Sequence, residues 1–261
     1  MDKLPISVFI ITQDEEDRIS RSINSVLDWV DEVIVIDSGS TDNTVKIVEE
    51  LGIKVIFNEW PGFGPQKIYG ESLCKNKWIL NIDADEEITD ELRKNIENLF
   101  KSGEPVHSAF KMYWKILFEY QQRPSLFATG SNFVRLYNKD KAGFRDSQIH
   151  DSVVIREGTM GEIKGYVWHR NFTSVKRWLK KNDSYTDKQA EDLFKKGRNP
   201  LFIRMILEVP LTFLKAYFIR RNFIYGMNGF IFSVLYSQSK FLRLAKTREL
   251  FEKEKYNKCK K

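Results

Sequence analysis

Two aspartates one residue apart, Asp83 and Asp85 in the run Asn81-Ile82-Asp83-Ala84-Asp85-Glu86, directly follow the apolar segment Trp78-Ile79-Leu80. That segment reads as a buried strand, and residues i and i+2 of extended chain point the same way. The spacing therefore predicts two carboxylates converging on one hard divalent cation, whose other ligands are water and substrate phosphate. The same run also reads as an acidic turn feeding a helix, because Glu86, Glu87, Asp90 and Glu91 suit the positive end of a helix dipole. What separates the two readings is where the other acidic and polar residues of the first hundred positions fall.

Strand and helix patterns alternate through that region. Ile6–Ile11 is β-rich and nearly continuous in apolar residues, as a strand covered on both faces requires. Ile19, Ile23, Val26 and Leu27 form one helical face. Val33–Ile36 is a second strand, and the turn Ser38-Gly39-Ser40-Thr41-Asp42 leads to a helix that Gly52 stops. Val55–Phe57, the loop Pro61-Gly62-Phe63-Gly64-Pro65, a helix from Gln66 to Lys75, the strand Trp78–Ile82 and a helical stripe of Leu92, Ile96, Leu99 and Phe100 complete a β-α-β-α-β-α-β order. This order predicts an α/β fold, a mostly parallel Rossmann-like sheet with helices on both faces. Ligands of such sheets bind beyond the carboxyl ends of the strands. Three of the four strands end in polar groups: Thr12 to Glu15, then Asp37, then Asp83 and Asp85. No G-x-G-x-x-G or G-x-x-x-x-G-K follows any strand, so neither a dinucleotide fingerprint nor a Walker-type loop has support.

Further strands are expected at Lys111–Tyr120, Phe133–Tyr137, Val153–Ile155 and Gly165–His169, and helices from Ser174 onward. With 42% hydrophobic residues, 261 residues bury a substantial core, which argues against disorder. The net charge of +6 is split unevenly: residues 1–100 hold 10 Lys and Arg against 21 Asp and Glu, and residues 101–261 hold 32 against 15, giving −11 and +17. Such an excess points to a polyanion or an anionic membrane surface as neighbour. Two cysteines, Cys74 and Cys259, are read as free thiols in a reducing compartment. The apolar run at the N-terminus lacks a positive leader and meets Asp14–Asp17, so a cytoplasmic chain is expected. Asn222–Ser239 carries no charge but is interrupted by Asn, Gly and Gln, and reads as an interfacial or buried helix instead of a spanning one.

At Ile10-Ile11-Thr12-Gln13-Asp14-Glu15, Val35 to Asp42, Gly62 to Lys67 and Asp83-Ala84-Asp85-Glu86, the chain resembles the family-2 glycosyltransferases of the GT-A fold. Within that family it is most similar to the bacterial lipopolysaccharide-core glucosyltransferases that act on inner-core heptose. The resemblance implies a transferase domain over residues 1–172, donor-binding in 1–100 and acceptor-binding in 101–172, with a basic, partly amphipathic helical extension over 173–261. It implies that Thr12, Glu15 and Asp37 contact uridine, that Gln66 and Lys67 lie along the nucleotide-sugar, and that Asp83 and Asp85 bind Mg²⁺ or Mn²⁺ on the diphosphate of a UDP-sugar. It places the catalytic carboxylate at Asp151, beside His150, a late histidine near the metal at His169, and a glycine lining the acceptor side at Gly130. Gln13-Asp14 stands where those enzymes usually read Lys-Asn, and Asp151 where they more often read Glu.

The activity implied is inverting transfer of a hexose, glucose by resemblance, to a lipopolysaccharide-core or related glycolipid acceptor at the inner face of the cell membrane, with nucleic acid excluded as partner. Transfer to a polyprenyl phosphate or a protein side chain would use the same donor half. A non-catalytic polyanion-binding module would account for the basic segment but not for the acidic strand ends. A nucleotidyltransferase would share sheet and metal, yet no glycine- and lysine-rich triphosphate loop follows the first strand.

Overall fold

A computed structural model describes residues 3–118, 121, 130–146, 152–172 and 174–260. The described residues divide into two compact units, one drawn from residues 1–116 and 130–171, the other from 117–129 and 172–261.

The first unit is built on a sheet whose parallel part comes from the N-terminal hundred residues. Strands β1 (Leu4–Thr12), β2 (Val30–Asp37), β3 (Lys54–Phe57) and β4 (Trp78–Asn81) alternate with helices α1 (Ile19–Asn24), α2 (Thr44–Glu50) and α3 (Phe63–Leu73). After β4 come a short strand β5 (Glu86–Ile88), helix α4 (Asp90–Phe100), and strands β6 (Ala109–Phe118), β7 (Gly130–Asn138) and β10 (Met160–Phe172). The order across the sheet is β3-β2-β1-β4-β7-β6-β10-β5, and β8 (Ala142–Phe144) pairs antiparallel with β9 (Val153–Ile155) in a separate ribbon. β1 runs parallel to β2 and β4, and β2 to β3, whereas β7 is antiparallel to both β4 and β6. This is the mostly parallel α/β architecture the alternating pattern predicts.

Period-two alternation in β1 sends side chains to two different cores. Ile6, Val8 and Ile10 pack with Ile19, Ile23 and Val26 on the α1 side and with Leu92 and Ile96 of α4. Phe9 and Ile11 pack on the opposite face with Ile34 and Ile36, against Ile68, Tyr69 and Leu73 of α3. Coverage on both faces is why β1 shows no polar alternation. α4 starts where Thr89 caps it, its hydroxyl accepting from the Leu92 amide at 3.3 Å, with Asp90 and Glu91 in the first turn. α3 begins at Phe63, three residues before the expected start, because Pro65 falls in the first turn, where no N–H is needed. Gly70 lets this helix approach the sheet closely: a Cβ there would lie 2.6 Å from the Phe9 ring.

The second unit is helical. α5 (Val175–Lys195) is capped by Ser174, whose hydroxyl accepts from the Arg177 amide, and α6 (Phe202–Leu214) continues through a π-helical turn, Lys215–Ile219, and a 3₁₀ turn, Asn222–Tyr225. α7 (Gly226–Cys259) packs beside α5, with Lys246 2.7 Å from both Asp183 and Asp187. No helix of the described residues is long and apolar enough to cross a membrane. The uncharged stretch 222–239 buries Tyr225, Gly229, Ser233 and Ser237, half-buries Ile231, Phe232 and Leu235, and exposes Phe223, Met227, Phe230 and Val234.

Candidate active site

The expectation for Asp83 and Asp85 needs correcting in its geometry. β4 stops at Asn81, and the two aspartates stand in the turn between β4 and β5, not on extended chain. Their carboxylates consequently meet different partners. Asp83 accepts from Lys67 Nζ at 2.9 Å through Oδ1 and from Arg135 at 3.0 Å through Oδ2. Asp85 lies 3.2 Å from Arg18 and 3.3 Å from His169 Nε2, both through Oδ2. Arg135 also pairs with the buried Glu86 and donates to Asn81 Oδ1 at 3.2 Å.

Four elements deliver these cations to one turn. Lys67 comes from α3, Arg135 from β7, Arg18 from the residue preceding α1, and His169 from β10. Lys67 is fully buried, and Arg18 and Arg135 nearly so. Burial alone would raise the Asp83 pKa, but Lys67 and Arg135 outweigh it and hold the carboxyl well below the usual carboxylate range. For His169, burial favours the neutral ring, whereas Asp85, with Glu86 and Asp83 behind it, lifts the imidazole above its ordinary value. The ring sits edge-on to Trp114, centroids 4.9 Å apart, and its buried Nδ1 has no hydrogen-bond partner among the described residues.

The expected nucleoside residues gather at neighbouring strand ends. Thr12 and Asp37 are register partners at the ends of β1 and β2. The Asp37 carboxylate accepts from the Gly39 and Ser40 amides at 2.8 and 2.9 Å, and so shapes the following turn, where Gly39 has φ +91°. Buried Gln66 donates to Ser38 Oγ at 3.0 Å and accepts from Asn58 at 2.6 Å. Thr12 is 5% exposed, and its buried hydroxyl oxygen has no hydrogen-bond partner among the described residues. Glu15 reaches the aspartate turn indirectly: its carboxylate accepts from Arg18 Nε at 2.8 Å, and Arg18 binds Asp85. Asp14, in the left-handed region at φ +54°, accepts from the Thr41 amide at 2.8 Å and ties the loop after β1 to the loop after β2.

Asp151 and His150 lie outside the described residues. Gly130 opens β7, where a Cβ would stand 2.0 Å from the Trp114 carbonyl oxygen, so bare backbone is required there. Arg18 and Arg135 are the participants that sequence reasoning did not single out, and Glu86 was read only as part of the acidic run and motif. For Arg135 the available signal was a charged residue inside an apolar strand, Phe133-Val134-Arg135-Leu136-Tyr137.

The donor set suits a divalent cation carried in on a substrate. Among the described residues, no group of three or more His, Cys, Asp and Glu could hold a metal ion. Mg²⁺ is ordinarily held by one or two carboxylates and completed by substrate phosphates and water. Asp85 with His169 meets that requirement, provided His169 gives up its proton to the incoming cation.

The chain matches the family model described as Glycosyl transferase family 2 over residues 7–162, and it belongs to that family. An uncharacterized glycosyltransferase of Rickettsia felis is 44% identical over 96% of this chain and 92% of its own length. The lipopolysaccharide core biosynthesis glycosyltransferase LpsC of Rhizobium meliloti is 29% identical over 94% and 92% of the two chains. Among solved structures, S. aureus TarS 1-349 in complex with UDP-GlcNAc is similar at 13% identity, covering 96% of this chain and 92% of that one with a TM-score of 0.47. The protein is a glycosyltransferase.

Proposed function

We propose that the protein transfers a hexose, glucose in the first instance, from a UDP-sugar to a lipopolysaccharide-core or related glycolipid, with inversion at the anomeric carbon and with Mg²⁺ or Mn²⁺ required. The observation that carries this reading is the joining of Asp83 and Asp85 to Lys67, Arg135, Arg18 and His169 around one turn, beside the strand ends that bear Thr12 and Asp37. Buried guanidinium and ammonium groups hold the carboxylates of the turn fixed, so that a divalent cation arriving with a diphosphate would meet a site needing little reorganisation. The Thr12 hydroxyl, unpartnered among the described residues, gives the nucleoside side a hydrogen-bonding group.

Asp85 and His169 would hold the cation, with Asp83 supporting. When bound, it neutralises charge developing on the leaving diphosphate. Lys67 and Arg135 hold Asp83 ionised and keep the turn in place. The acceptor hydroxyl is a poor nucleophile until a carboxylate takes its proton, the role assigned to Asp151. The glycolipid acceptor is supported by the similarity to LpsC and by the +17 charge of residues 101–261, and it places the enzyme at a membrane surface on the cytoplasmic side.

A panel of UDP-, GDP- and dTDP-sugars, each incubated with and without Mn²⁺, tests the reading. Metal-stimulated hydrolysis confined to UDP-hexoses supports it. Activity with another nucleotide only, or none that responds to metal, counts against it. Polyprenyl phosphate and protein acceptors remain the competing assignment, distinguished by supplying each with the preferred donor.

A further inference from the structure

α6 has its polarity reversed. None of its residues is buried, and Phe202, Ile203, Ile206, Leu207, Leu211 and Leu214 are all exposed, Phe202 at 73% and Ile203 at 59%. Its one carboxylate, Glu208, is turned inward at 16% exposure, 3.4 Å from Arg243 of α7 and 3.7 Å from Arg204. The facing start of α7 repeats the pattern, with Gly229, Ser233 and Ser237 inside and Met227, Phe230 and Val234 outside. A hairpin that shows this many large apolar side chains along one continuous face carries the mark of a surface that something covers.

Charge decides what covers it. Residues 197–240 hold six cations, Arg198, Arg204, Lys215, Arg220, Arg221 and Lys240, against Glu208 alone. A second copy of the chain would set this face against itself and oppose like charges. An anionic lipid surface matches both features, since headgroups meet the cations and acyl chains meet the apolar side chains. Arg220 and Lys240 flank the Tyr236 ring at 5.2 and 4.9 Å, and Tyr217 and Phe213 stack at 5.4 Å, a mixture suited to the boundary between headgroups and hydrocarbon. Thirteen helical residues span about 20 Å, too short for a bilayer core, so the helix would lie in the surface plane.

We infer that the α6–α7 hairpin is an in-plane docking face for anionic membrane lipid. This deepens the reading of a membrane-borne acceptor and rests on it for its purpose. The test floats the full-length protein with phosphatidylethanolamine vesicles, with and without phosphatidylglycerol, at low salt, and measures UDP-hexose hydrolysis on the same samples. Expected is flotation that strengthens roughly tenfold or more with phosphatidylglycerol and is lost in the double variant Ile203→Glu, Leu207→Glu, while hydrolysis is unchanged. The pair Lys215→Gln, Arg220→Gln should weaken binding to the anionic vesicles and leave binding to the neutral ones as it was. Flotation of the Ile203→Glu, Leu207→Glu protein equal to that of the parent would overturn the inference. So would a solution dimer of the parent that this variant breaks. Loss of hydrolysis with flotation intact would instead remove the transferase reading and leave the docking face standing.

Discussion

Arg135 shows how a single side chain can serve both the fold and the site. Its guanidinium joins Asp83, Glu86 and Asn81 at a position 7% exposed, so truncating it takes the guanidinium from the buried Glu86 carboxylate and leaves Asp83 to Lys67. Breaking a buried ion pair from one side costs about 3–5 kcal/mol. Arg135→Ala is accordingly expected to unfold at lower urea by about that much and to lose donor binding, whereas exposed Arg198→Ala should change neither. Equal urea midpoints for Arg135→Ala and the parent would show that the network is not under this control. Asp151 is a different kind of residue. As the proposed general base it would contribute to turnover and little to donor affinity, so Asp151→Asn should lower kcat by about 10²–10⁴-fold with the UDP-sugar Kd nearly unchanged. A matching loss in Kd would reassign it to donor binding.

At the scale of elements, β6 and β7 depend on the absence of a side chain at Gly130, because a Cβ would sit 2.0 Å from a backbone oxygen that cannot swing away. Gly130→Ala should therefore destabilise by about 1–3 kcal/mol, the usual cost of overpacking, seen as a lower melting temperature. An unchanged melting temperature would mean that the strands separate freely there. The elements themselves were largely legible, because β1, β2 and β4 announce burial on both faces by unbroken apolar runs and α4 carries both a cap and a stripe. The orientation of Asp83 and Asp85 was not. One residue's difference in where β4 ends converts parallel projection into divergent partners, and strand ends are where local pattern is weakest. Arg135 was invisible for another reason. Its place beside Asn81 is fixed by the antiparallel register of β7 on β4, Leu136 opposite Leu80, a pairing more than fifty residues distant. For residues 222–239 the sequence left an interfacial and a buried helix both open, because charge-free sequence says that a surface is apolar, not which way it points.

Over the whole molecule, the acidic N-terminal part folds into the parallel sheet and its site, and the strongly basic remainder supplies both Arg135 and the helical unit. The two cysteines give a simple check on that architecture. Cys74 is buried between α3 and the sheet, and its thiol is pushed up to about 12, mainly by burial, whereas Cys259 is exposed at the end of α7. One thiol should react promptly with a disulfide reagent at neutral pH and the second only in denaturant; two prompt equivalents would contradict the packing of α3. The central claim is that the turn bearing Asp83 and Asp85 grips the donor's diphosphate through a divalent cation. Calorimetric titration of UDP-glucose into the parent protein and into Asp85→Asn, each with Mn²⁺ and with chelator, addresses it most directly. The account predicts binding by the parent only with Mn²⁺ and a loss of at least about 10²-fold in Asp85→Asn, with circular dichroism unchanged. Equally tight binding by both proteins, or binding indifferent to the metal, would contradict it.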